Sequence, residues 1–213
     1  MTTQQIKREL QALISGKNGA RYDAVIQAAL RHLRGGKSAS SMAPGKLEDK
    51  AKEAEDLMLF ADEHDLILTD IPEERFVASG AEQRVYIVNE SLVVKLNDAI
   101  YYATWRDYLH SLLLHNYFFA DTAYSLRGFY VGENILYAVV EQPYIKADAI
   151  ADLDEVRGFM MTNGFENTRN HDYEHKEFGV ILEDLHDENV LSADGVLQFV
   201  DTVFFIRPDR FWS

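Results

Sequence analysis

The stretch RFVASGAEQRVYIVNESLVVKLN, residues 75–97, constrains the fold of the 213-residue chain more than any other. Apolar residues recur there at strand spacing, and two breaks divide them: Gly80 in the first half and Asn89-Glu90-Ser91 in the second. A period of two marks a strand, and short polar or glycine breaks between such runs mark turns. From Phe76 onward the segment therefore reads as strand, turn, strand, tight turn, strand.

Helical patterns precede it. Ile6, Leu10, Leu13 and Ile14 share a face of a helix over 3–15, and Val25, Ile26, Ala29, Leu30 and Leu33 share a face of another over 20–34. GGKSASSMAPGK, 35–46, is rich in Gly, Ser and Pro and reads as a linker. A third helix follows over about 47–64, with Leu57, Phe60 and Ala61 on its buried side. After the three strands, YYATWRDYLHSLLLHNYFF (roughly 101–119) is a long apolar helix and GFYVGENILYAVVEQPYI (128–145) a hairpin about Gly132-Glu133-Asn134. A helix over about 152–163 ends at Asn163-Gly164, a common capping pair. HDYEH, 171–175, reads as loop, and the final strand pair turns at Asp194-Gly195.

Composition removes several classes of function. With no cysteine there is no disulfide, thiolate metal site or cysteine nucleophile. Residues 1–50 carry nine Lys/Arg against four Asp/Glu, whereas the remainder carries a net charge of −19. So acidic a body is unsuited to a nucleic-acid groove, because phosphates need a basic footprint. The opening MTTQQIKREL lacks the apolar core of a secretory leader, and no apolar run approaches the ~20 residues of a membrane span. The expectation is a cytoplasmic protein without a membrane anchor.

LEDLHDENVLSADGVLQFVDTVFF, 182–205, sets Asp184, Asn189 and Asp201 around two apolar runs. The bland reading is a polar turn beside a hairpin. The chemical reading is phosphoryl transfer: one carboxylate orients a hydroxyl, while an amide oxygen and a second carboxylate hold Mg²⁺, which prefers oxygen ligands. Asn189 stands where an EF-hand loop needs glycine, so that motif is excluded. Lys95, in SLVVKLN, sits on an apolar strand; it either snorkels or reaches phosphates. His171 and His175 are spaced i,i+4 as a possible metal pair, with no third ligand evident.

The succession strand, Gly80 turn, strand, VVK, long helix, YAVVEQPYI, LEDLHDENVL, FVDTVFF resembles the protein-kinase-like fold. Asp184 to Asn189 is similar to the catalytic loop of eukaryotic-type protein kinases, with His186 placed as in the aminoglycoside-phosphotransferase branch. GAEQRVYIV, the long helix, QPYIKA and GFENTRN together resemble the small serine/threonine/tyrosine-kinase-like domain of bacterial and phage polyvalent proteins, over about 76–207. The resemblance implies Asp184 as the catalytic Asp, Asn189 and Asp201 as metal ligands, and Lys95 as the phosphate-pairing lysine. It further implies that Gly80 and Val85 lie over the nucleotide, with Glu141 to Tyr144 as the hinge against adenine; ATP and Mg²⁺ are the implied cofactors.

The pattern departs from the family in four places. Ala78 and Gln83 replace the outer glycines of the phosphate loop, Asp201-Thr202-Val203 replaces Asp-Phe-Gly, the long helix offers Asp107 and no Glu, and twelve residues follow Asp201. The resulting expectation is an α+β, two-lobed kinase-like fold with a reduced C-terminal lobe. A helical extension and linker would occupy 1–46 and the kinase-like domain 47–213, divided near 142 into lobes of about 66–142 and 143–213. The expected activity is ATP·Mg²⁺-dependent phosphoryl transfer to an unknown protein or small-molecule acceptor. The alternative is a pseudokinase that binds nucleotide or a protein partner as a scaffold.

Overall fold

The computed structural model describes residues 1–17, 23–35, 47–80 and 83–213; most of the Gly/Ser/Pro linker lies outside these residues. Three helices come first: α1 (Thr3–Ile14), α2 (Ala24–Gly35) and α3 (Leu47–Glu63). Next are β1 (Phe76–Ser79), β2 (Gln83–Asn89), β3 (Leu92–Asn97), α4 (Trp105–Phe118), β4 (Ser125–Gly132) and β5 (Ile135–Pro143). The remainder is β6 (Ala149–Ile150), α5 (Leu153–Thr162), β7 (Glu166–Arg169), β8 (Asp172–His175), β9 (Val180–Glu183), β10 (Val190–Ala193), β11 (Val196–Phe199), β12 (Val203–Ile206) and α6 (Pro208–Phe211). The chain is α+β, and it forms two compact units.

One unit comprises 19–109 and 124–144. The expected meander is present as β1–β3 and the expected hairpin as β4–β5; they join in one antiparallel sheet of order β1-β2-β3-β5-β4. The hairpin turns on Glu133 and Asn134, both left-handed (φ 53° and 65°), which is the two-residue geometry whose twist matches the flanking strands. Ile71, Tyr86, Val94, Leu96 and Val139 form an apolar cluster on one face of the sheet. Asp23 caps α2 by accepting the N–H of Val25 and Ile26, and its other oxygen accepts the N–H of Leu126 at 2.9 Å. In α3, Leu57, Phe60 and Ala61 are buried as their spacing requires.

At Gly128 the sheet bulges, and the segment after α3 comes against it. The Phe129 N–H donates to Leu66 O and the Leu68 N–H to Phe129 O, both at 2.8 Å. A Cβ on Gly128 would stand 2.2 Å from the Leu66 carbonyl oxygen, and φ is +153°. Here a glycine is required by the approach of another backbone.

The other unit comprises 1–18, 110–123 and 145–213. It holds a four-stranded sheet, β12-β9-β8-β7, and a three-stranded one, β11-β10-β6. The Asp194-Gly195 turn lies between β10 and β11, where both residues have positive φ. The sequence reading placed a loop at 171–175; the structure places a strand there. Asp172–His175 form β8, paired between β7 and β9, with His171 in the turn before it, and Tyr173, Glu174 and His175 are all buried. Its polar composition hid the strand from a search for apolar alternation. The helical i,i+4 geometry that would bring His171 and His175 together is therefore absent, since one is in a turn and the other ends a strand. His175 stacks on Phe178 (centroids 3.6 Å apart), its Nδ1 accepts the Phe178 N–H, and burial pushes its pKa down.

The two leading helices, grouped in the sequence ahead of the linker, are divided between the units. Lys7 of α1 donates to Arg210 O and Gln11 to Phe211 O within the unit that holds 145–213, while α2 packs on α3 and β4 in the other. Leu10, Leu13, Ile14, Ile26, Leu30 and Leu33 are all buried. At about 1.5–3 kcal/mol for each such side chain, their removal approaches the ~5–15 kcal/mol of a whole domain's stability. Deletion of residues 1–46 is therefore expected to abolish cooperative thermal melting; a sharp transition in the truncated protein would count against these contacts. Gly128→Ala is expected to cost about 2–3 kcal/mol and lower Tm by roughly 5–10 °C. Gly80→Ala, with nothing within 4 Å of the added Cβ, should leave Tm nearly unchanged in the same scan.

Candidate functional site

The residues singled out by the sequence fall into two groups, one in each unit. In the unit containing 145–213, the register of β9 with β12 decides the arrangement. Glu183 pairs with Val203, so Asp184 leaves β9 at the same edge from which Asp201 and Thr202 enter β12. Asn189 ties these two exits together. Its carbonyl accepts the N–H of Val200 at 3.0 Å and of Asp201 at 3.3 Å. Its side-chain amide donates to Asp184 O at 2.9 Å and to Asp184 Oδ2 at 3.1 Å. The other carboxylate oxygen, Oδ1, is 3.4 Å from His186 Nε2. His186 Nδ1 accepts the Glu188 N–H at 3.2 Å, and its Nε2 also lies 3.1 Å from the Asn189 side-chain amide nitrogen.

The Asp184 backbone is left-handed (φ 68°), and its N–H donates to Asp172 Oδ1 at 3.2 Å. The loop is seated on apolar anchors, because Leu185 and Val190 are fully buried. Carboxylates are concentrated here: burial, then the charges of Asp172 and Asp184, raise the pKa of Glu183 above the usual range.

Behind Asp201 lies a set of buried polar contacts from α4 and the turn after it. His115, fully buried, has Nδ1 2.7 Å from Thr202 Oγ1 and Nε2 2.9 Å from Thr122 O. This fixes the ring as the Nε2–H tautomer, with the Thr202 hydroxyl donating to Nδ1. Thr122 Oγ1 donates to Phe199 O at 2.5 Å, and Ser111 Oγ accepts the Phe204 N–H at 3.0 Å. Phe119 stacks on Phe199 with centroids 4.1 Å apart. Asp172, His115 and Thr202 were absent from the sequence-based site. Only His115 left a signal, a polar residue within the apolar run SLLLHNYFF.

In the other unit Lys95 is buried at the centre of the sheet. It is opposite Val85 on β2 and Val140 on β5, so the three share a face. Its Nζ is 3.5 Å from the Tyr124 hydroxyl and 5.4 Å from that ring's centroid. Gly80 follows β1, exposed, with its N–H donating to Gln83 O. Glu141 is opposite Val94, which turns its side chain to the face away from Lys95; it pairs with Arg127 at 3.5 Å. Buried Gln142, opposite Val93, is on the Lys95 face. The Tyr144 N–H is taken by Ser91 O. Asp107 lies in the first turn of α4, its N–H donating to Thr104 Oγ1.

Among the described residues no cluster of three or more His, Cys, Asp or Glu has metal-holding geometry. The oxygen donors near Asn189 nevertheless suit a hard cation. The Asn189 amide nitrogen is spent on Asp184, which leaves Oδ1 as its remaining side-chain donor, and Asp201 is pinned beside it. A Mg²⁺ would need only these two from the chain, with phosphate and water oxygens completing its shell.

The family described as serine/threonine/tyrosine kinase found in polyvalent proteins matches residues 50–208, well over half of the chain. The chain belongs to this family. Membership in these polyvalent-protein kinases supports a kinase-like phosphotransfer activity in general. No curated protein and no solved structure matches the chain. Among the described residues, no helix of this kinase-family member is long and apolar enough to cross a membrane.

Glu183→Gln provides a check on the site's electrostatics. An acid with a raised folded-state pKa favours the native state below its unfolded pKa, and that stability is lost as pH rises through the folded pKa. The amide should therefore raise Tm relative to wild type at pH 7, with the gain shrinking or reversing near pH 4. Melts at the two pH values measure this.

Proposed function

We propose that the chain transfers the γ-phosphoryl group of ATP, with Mg²⁺, to a hydroxyl acceptor, through a reduced two-lobed kinase-like fold. The observation that carries the proposal is the double tie made by Asn189, which binds the Asp184 carboxylate with its amide and the Asp201 backbone with its carbonyl. In a kinase-family chain this joins the candidate base and the candidate metal ligand through one residue. Asp184 accepts the acceptor's proton as the acceptor oxygen bonds to the γ-phosphorus. The bond from phosphorus to the β–γ bridging oxygen breaks, and ADP leaves with the electron pair. Asn189 Oδ1 and Asp201 would hold Mg²⁺, which when bound offsets phosphate charge. Lys95 takes the α- and β-phosphates, while Gly80, Val85 and the backbone from Glu141 to Tyr144 border the nucleotide.

A scaffold reading has its own support in the first turn of α4. The only acid there is Asp107, a residue shorter than the Glu that normally pairs with the strand lysine in active kinases. Under that reading nucleotide binds without turnover.

ATP with Mg²⁺ at ~100-fold its Kd should stabilise the protein by about 2.7 kcal/mol, or roughly 5–10 °C in Tm. Asp201→Asn should remove most of the Mg²⁺-dependent part of this shift. Asp184→Asn should keep the shift but reduce ATP hydrolysis or autophosphorylation by about 10²-fold or more, because it acts chiefly in the transition state. Binding without turnover in wild type selects the scaffold; no shift at millimolar ATP removes both readings.

A further inference from the structure

Three buried polar side chains of the 110–123 segment follow the stretch 199–204 between and into β11 and β12, contacting it on either side of Asp201. Thr122 Oγ1 donates to Phe199 O, two positions before Asp201, and Phe119 stacks on the Phe199 ring. His115 Nδ1 accepts the Thr202 hydroxyl proton, one position after. Ser111 Oγ accepts the N–H of Phe204, three positions after. Ser111 and His115 are spaced i, i+4, which places them on one stripe of α4, and Phe119 is the residue that follows the helix. Exposure is 2% at Ser111, 0% at His115, 1% at Thr122 and 5% at Thr202, so these bonds form out of water, where breaking one is most costly.

From this placement we infer that His115, acting through Thr202, is a positioning residue for Asp201: it fixes where the metal-binding carboxylate stands and hence how tightly the site takes Mg²⁺. The inference rests on the kinase reading only for the identity of the ion. The geometric link is in the fold itself. Asp201 has its own N–H bonded to Asn189 O, and Thr202 is the next residue, so freeing the Thr202 hydroxyl loosens the chain on the side Asn189 does not hold. Metal ligands are tuned by the groups that orient them, and removing such a partner typically weakens metal affinity about 10–100-fold.

Thr202→Val keeps the shape and deletes the donor, Thr202→Ser keeps the donor, and Val156→Ala opens a cavity at a buried α5 residue as a stability control. Two measurements apply to each full-length protein. Hydrogen–deuterium exchange without nucleotide reads the peptide covering 199–204. The Mg²⁺ midpoint for the ATP-induced thermal shift reads the site. Thr202→Val should raise exchange in that peptide and shift the Mg²⁺ midpoint upward about tenfold, Thr202→Ser should restore both, and Val156→Ala should lower Tm while leaving the midpoint in place. If Thr202→Val leaves both readouts at wild-type values, the positioning role is overturned. If it raises exchange but wild type itself shows no Mg²⁺-dependent shift, the kinase reading fails while the structural link stands; a midpoint shift equal to that of Val156→Ala reduces the link to ordinary stability and overturns the inference.

Discussion

The site depends on a pair of backbone hydrogen bonds, those that the Asn189 carbonyl accepts from Val200 and Asp201. They close the β10–β11 hairpin onto the loop preceding it. Without them, Asp184 and Asp201, seventeen positions apart, would have only the β9–β12 ladder to align them. The ladder sets the edge at which both residues emerge, and Asn189 sets their spacing. Its side chain then constrains the Asp184 carboxylate, so one residue performs both local backbone closure and side-chain orientation.

A second layer of buried contacts surrounds this closure. Leu185 and Val190 anchor the loop by burial, Asp172 accepts the Asp184 N–H, and the His115–Thr202 bond meets Asp201 from behind. None of these contacts can be made by a side chain that relaxes independently, because each pairs a residue of the loop or of β12 with one from a distant part of the sequence. Removing water from them raises the penalty for a mismatch. The acidic character of the neighbourhood works in the opposite direction, as the raised pKa of Glu183 records.

How much of this was legible in the sequence depended on how local the cause was. The β2–β3 turn and the two hairpin turns at Glu133-Asn134 and Asp194-Gly195 are set by residues within a few positions of one another, and they were read directly. Asp184, Asn189 and Asp201 could be picked out because their spacing is itself the motif, although the sequence carries no sign of which atom of Asn189 faces which carboxylate. The β7–β8 pair was missed because Tyr173, Glu174 and His175 are successive buried residues on a strand flanked by β7 and β9, a pattern with no apolar alternation. Likewise, the amphipathic stripes of α1 and α2 announce that each helix packs on something. They do not announce that the something differs for the two.

The left-handed backbone of Asp184 has a consequence for the evolution and engineering of the chain. At φ 68° the Cβ of Asp184 crowds the following carbonyl oxygen, a strain of roughly 1–2 kcal/mol that glycine would not incur. A selection or design procedure that scores backbone strain alone would favour glycine at 184, although glycine would remove the carboxylate to which the Asn189 amide donates. The residue present is thus a local compromise, and a variant library screened by heat resistance would weigh that strain against one hydrogen bond, blind to a carboxylate on which the proposed chemistry depends.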